Sequence, residues 1–81
     1  MALSKDELAL LARFGGNVRR LRVDAELTQA ALAERLGLEI RTVQKFEAGQ
    51  INVPLATLHR IRRALGCRWE ALLGNAEKLK S

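Results

Sequence analysis

The chain has 81 residues, enough for one domain and too few for two. Its 48% apolar and 28% charged residues exclude a disordered tail protein, and one cysteine with one histidine excludes a disulfide-stapled or zinc-centred fold. The net charge is +5, and the whole excess lies in residues 41–81, because residues 1–40 carry six basic and six acidic side chains; this asymmetry points to a polyanion, either nucleic acid or an anionic membrane surface.

Tyr is absent and β-branched residues are sparse, so the elements read as helices throughout. The first spans about Ser4 to Ala25. Ser4 and Glu7 form a capping box, and Leu8, Leu11, Phe14, Val18 and Leu21 recur on one face. Gly15-Gly16 interrupts the pattern at ~1 kcal/mol per glycine relative to alanine, which predicts one kinked helix or two shorter ones. The second helix starts at Thr28 as N-cap, turns Leu32, Ala33 and Leu36 inward, and ends at Gly37 in the left-handed conformation. The third spans Ile40 to Ala48. Val43 and Phe46 point one way, and Arg41, Gln44, Lys45 and Ala48 the other, with Ile40 at their edge.

A fourth helix opens with Pro54 as its first residue, lines up Leu58, Ile61 and Leu65, and closes at Gly66, with His59, Arg60 and Arg63 on the solvent side. Cys67 takes the N-cap slot of a short fifth turn, about Arg68 to Leu73, as a structural residue. Residues 1–73 therefore form the domain, and residues 74–81 a frayed tail. Trp69, Leu72 and Leu73 give the last turn more apolar surface than it needs, which suggests core packing or a dimer contact. No run approaches 18 apolar residues, and the first residues do not read as a signal peptide, so a cytosolic protein is expected.

Two short helices joined by Leu36-Gly37-Leu38 are the sequence form of a helix-turn-helix. Small Ala33 lets the two backbones approach, and Val43 and Phe46 pack back onto Leu32 and Leu36. The outward face of the third helix then carries long polar side chains of a kind that reach base edges in a major groove.

Thr28-Gln29-Ala30-Ala31-Leu32-Ala33-Glu34-Arg35-Leu36-Gly37, followed by Thr42-Val43-Gln44-Lys45-Phe46-Glu47-Ala48-Gly49, resembles the phage-repressor (Cro/cI-like, XRE) helix-turn-helix family. Leu21-Arg22 and Pro54…Leu58…Ala64-Leu65-Gly66 fit in type and spacing, so the resemblance covers about residues 15–73. It implies an all-α, five-helix, lambda-repressor-like domain. It also implies a transcriptional regulator that binds a palindromic operator as a homodimer. By the same resemblance Ile40, Arg41 and Lys45 fall where bases are read. Thr28, Gln29, Thr42, Gln44, Gln50 and Asn52 fall at or near backbone or flanking-base positions. Arg22 and Glu47 match a buried ion pair between the first and third helices.

The sequence departs from the family pattern at three places. Glu26 stands where glycine is usual, so the first helix must end in a strained conformation or a different turn. Ala31 replaces a common Glu and removes a capping box. Ile40 replaces a polar residue, leaving an apolar contact to a thymine methyl as its means of readout.

No nucleophile-base-orienter set and no phosphate-cradling glycine loop occurs, so an enzyme, a cofactor and a metal are not expected. The competing expectation is an antitoxin or other protein-interaction module whose DNA binding is secondary. A toxin or a polymerase would then be the further partner, and no membrane role is expected.

Overall fold

The computed structural model describes residues 2–74; of the expected tail, all but Gly74 lies outside the described residues. The described chain forms five helices: α1 (Lys5–Asp24), α2 (Gln29–Leu36), α3 (Ile40–Glu47), α4 (Leu55–Leu65) and α5 (Trp69–Leu73). Among the described residues there is no strand, and no helix is long and apolar enough to cross a membrane.

Each helix starts where its local chemistry allows. Ser4 Oγ accepts the Glu7 backbone N–H, and the Glu7 carboxylate accepts the Ser4 N–H at 2.7 Å, which completes the capping box. That backbone donor holds the Glu7 carboxyl below the usual carboxylate range. Thr28 Oγ1 accepts the Ala31 N–H at 3.0 Å and opens α2. Pro54 is the N-cap of α4 rather than its first helical residue, because its ψ of 146° is extended. Arg68, not Cys67, is likewise the N-cap of α5. Cys67 instead completes the turn after Gly66, with its N–H bonded to the Arg62 carbonyl and its thiol 3.9 Å from the same oxygen. Partial burial pushes that thiol's pKa up, so it stays protonated.

The end of α1 takes the strained option. Glu26 adopts φ 59°, a left-handed conformation costing a side chain about 1–2 kcal/mol. In return the Leu27 N–H reaches the Arg22 carbonyl at 3.0 Å, and the chain reverses directly into α2.

One core holds the five helices. Phe14 and Val18 of α1, Leu32, Ala33 and Leu36 of α2, Val43 and Phe46 of α3, Ile61 of α4 and Leu72 of α5 are all buried. α1 packs on α3 and α5, while α2 packs on α3 and α4. The apolar stripe of α1 is covered only from its middle onward, and Leu8 is 49% exposed.

α1 runs unbroken through Gly15-Gly16. The two glycines differ in kind. A Cβ on Gly15 would overlap the Phe46 carbonyl oxygen and lie 2.7 Å from that of Glu47, so its absence lets the C-terminal end of α3 rest directly on α1. A Cβ on Gly16 would meet nothing within 4 Å. Gly15→Ala should therefore destabilise the fold by about 2 kcal/mol or more, since the obstruction is backbone. Gly16→Ala should stabilise it by about 0.5–1 kcal/mol through helix propensity. Urea unfolding of the two variants checks this, and equal effects would mean that α1 and α3 do not meet this closely.

Candidate nucleic-acid interface

The α2–α3 unit is built by a tight reversal. Gly37 lies at φ 68°, ψ 31°, where a side chain would be strained, and the Leu38 N–H reaches back to the Ala33 carbonyl at 2.9 Å. Ala33 is 3% exposed at the helix contact, and Val43 and Phe46 plug α3 into the core. Every third or fourth residue of α3 is thus anchored, and the remaining side chains must point outward.

The C-terminal end of α3 is held by charge. Arg22 Nε donates to Glu47 Oε2 at 2.6 Å, and a second guanidinium nitrogen donates to Oε1 at 3.1 Å. The third nitrogen donates to the Leu27 carbonyl at 2.8 Å. Gln29 Nε2 also donates to Glu47 Oε1, at 3.0 Å. Side-chain exposure is 11% for Arg22 and 5% for Glu47, so the pair is largely desolvated. One carboxylate therefore ties the ends of α1 and α3 to the start of α2. Gln44 Nε2 approaches Gln29 Oε1 at 3.5 Å, which extends the chain of amides onto the outer face.

Two concavities flank that face. One, of about 520 Å³, gathers Arg41, Gln44, Lys45, Ala48 and Gln50. The other, of about 360 Å³, is lined by Arg19, Arg22, Gln29, Gln44, Glu47 and Ala48. Gln44 and Ala48 form the ridge between them. Ile40 stands 45% exposed at the first turn of α3, and Thr42 is half-buried. Thr28 spends its hydroxyl oxygen on the α2 cap. Asn52 lines neither concavity, and its side-chain oxygen accepts the Val53 N–H at 3.0 Å.

The three residues expected at a dimer contact separate. Leu72 is completely buried within the single chain and belongs to the core, which corrects its assignment to a dimer surface. Leu73 is half-buried. Trp69 is 38% exposed, with the Arg62 guanidinium 5.4 Å from its ring centre, a cation–π contact.

Asn17 was not anticipated. It is 9% exposed, donates to the Leu72 carbonyl at 2.7 Å and accepts from Arg20 at 3.1 Å, which fastens α5 to α1. The available signal was an amide side chain between Phe14 and Val18 in sequence, at the edge of the apolar arc beside Leu21.

Residues 13–73 match the helix-turn-helix domain family. An uncharacterized HTH-type transcriptional regulator of Methanothermobacter thermautotrophicus is 43% identical over 49 residues, covering 60% of this chain and 71% of that protein. An uncharacterized transcriptional regulator in the ATPase CF(0) region of Rhodospirillum rubrum is 30% identical over 67 residues, covering 83% of this chain and 62% of that one. The restriction-modification controller protein C.AhdI from Aeromonas hydrophila superposes with a TM-score of 0.75 at 36% identity, over 79% of this chain and 97% of its own.

Two of the acidic residues of the α2–α3 unit, Glu47 and Glu34, should differ sharply on truncation. Glu47→Ala leaves the buried Arg22 charge uncompensated and should cost about 3 kcal/mol. Exposed Glu34→Ala should cost about 0.5 kcal/mol or less. Chemical denaturation reads both, and a small cost for Glu47→Ala would reduce the pair to a surface contact.

Proposed function

The chain belongs to the helix-turn-helix domain family, in its Cro/cI-like, XRE-like form, and we propose that it is a sequence-specific transcriptional regulator that binds duplex DNA. The observation that carries this reading is the division of α3. Val43, Phe46 and Glu47 are all engaged inward, while Arg41, Gln44 and Lys45 are exposed around one outward concavity. A helix held this way fits a major groove, and its exposed side chains are of the types that pair with base edges.

In this reading Arg41 is the principal reader. It is the second residue of α3, on the side opposite Val43, and its planar fork can donate to guanine O6 and N7 together, worth ~1–3 kcal/mol of base discrimination. Lys45 follows one turn later, and Ile40 offers an apolar contact to a thymine methyl. Gln29, Gln44, Thr42, Thr28, Gln50 and Asn52 serve the sugar-phosphate backbone and flanking bases. They set register without specifying sequence.

Trp69 and Leu73, with the Arg62 guanidinium against the indole, form the surface through which two copies associate. Trp and Arg are both enriched among the few residues that carry most of the binding energy of an interface. Two-fold pairing places the two α3 helices about one DNA turn apart, ~34 Å, on a palindromic operator. Occupancy there represses by excluding polymerase.

Selection from a random duplex pool tests the reading. The wild type should enrich an inverted repeat with half-site centres about ten base pairs apart, and failure to enrich any motif would refute it. Arg41→Ala should relax the preference at one base pair per half-site. Arg60→Ala should leave the preference intact, because Arg60 lies on the outer side of α4 and lines neither concavity of the α3 face. If Arg41→Ala weakens all sequences equally and leaves the motif unchanged, Arg41 is a phosphate contact and the reading head is misassigned.

A further inference from the structure

Three arginines stand close together near the end of α1, and the structure gives them different partners. Arg20 is turned toward α5, where it donates to the side-chain oxygen of buried Asn17 at 3.1 Å. Arg22 has all its guanidinium nitrogens engaged, two on Glu47 and one on the Leu27 carbonyl. Arg19 is exposed, and among the described residues no side-chain hydrogen bond or ion pair engages it. Helical geometry explains the split. At 100° per residue Arg19 and Arg22 lie within 60° of each other, on the side of α1 that faces α3, while Arg20 is turned well away from both.

Arg19 therefore lines the concavity of about 360 Å³ together with Arg22, Gln29, Gln44, Glu47 and Ala48. Within it the Arg22 and Glu47 charges cancel at 2.6 Å. Arg19 leaves the groove with one net positive charge, beside the amides of Gln29 and Gln44. The groove is open to solvent and polar, and it shares Gln44 and Ala48 with the concavity that holds Arg41 and Lys45. A monoanion with acceptor oxygens, flanking whatever lies against α3, is the ligand that this arrangement fits.

We infer that Arg19, which no motif singles out, is a clamp for a phosphodiester of the strand bordering the recognition helix, with the neutralised Arg22–Glu47 pair as the floor of its groove. This rests on the DNA-binding reading above. Gly15 contributes indirectly, because the close approach of α3 to α1 that it permits is what brings the Arg19 side of α1 against Gln44 and Ala48. The contact adds affinity and fixes the angle at which α3 enters the groove, and it carries no sequence information.

The test compares the wild type, Arg19→Ala, Arg19→Gln and Arg19→Lys on the selected operator and on unrelated duplex DNA. Binding is followed by fluorescence anisotropy between 50 and 200 mM KCl, and folding of each variant by thermal unfolding. Arg19→Ala and Arg19→Gln should lower the slope of log K against log salt by ~0.9 per bound protomer, so that their affinity deficit shrinks about 3.5-fold per protomer across that range. The deficit should be the same on both DNAs, and Arg19→Lys should keep the wild-type slope. A wild-type slope in both neutral variants, or an altered base preference, overturns the inference while leaving the DNA-binding reading standing. Failure of the wild type to bind either duplex overturns that reading and the inference with it.

Discussion

A single carboxylate organises this small protein. Glu47 ends an eight-residue helix that could not hold its shape in isolation, because so short a segment barely offsets the cost of nucleation. A carboxylate at that end is also opposed by the helix dipole. The Arg22 guanidinium answers both problems with two nitrogens on one carboxylate, and Gln29 adds a third donor. Desolvating the two ions is costly, so the pair contributes less to net stability than to register. It specifies where the end of α3 stands relative to α1 and α2, and that in turn decides which side chains of α3 are left facing outward.

The backbone completes what the charges begin. Gly15 removes the one atom group that would hold α3 away from α1, and the carbonyls of Phe46 and Glu47 occupy the space. The side chains of Val43 and Phe46 share one buried cluster with Leu32, Leu36 and Phe14. α3 is thus fixed by packing on one flank, by close backbone contact on another and by an ion pair at its end. The same arrangement sorts the nearby polar groups. Arg22, Glu47 and Asn17 are satisfied internally, whereas Arg19, Arg41, Gln44 and Lys45 surround the exposed concavities.

Much of this architecture was legible in the sequence because it depends on local chemistry. The Ser4–Glu7 box, the Thr28 cap and the glycine at position 37 each act within a few residues, and the Val43–Phe46 spacing shows which side of α3 is inward. The features that escaped depend on contacts between distant segments. Gly15 reads as a weak point in a helix until the carbonyls of α3 are placed beside it. The Asn17 amide finds its partner carbonyl 55 residues away. Leu72 and Leu73 are neighbours on a five-residue helix, too short for periodicity to separate the buried one from the half-exposed one. Pro54 and Cys67 were each placed one residue too deep in their helices, where the backbone angles of a cap decide and composition does not.

Arg22 and Glu47 act as one unit and not as two independent surface charges. A double-mutant cycle tests it most directly, with Arg22→Ala, Glu47→Ala and the double variant compared with the wild type by denaturant unfolding. The expected coupling free energy is about 1.5 kcal/mol or more, because either single change strands a desolvated charge and the double change removes both. Additivity of the two single changes to within about 0.5 kcal/mol would contradict it, and would leave α3 held by its apolar contacts alone.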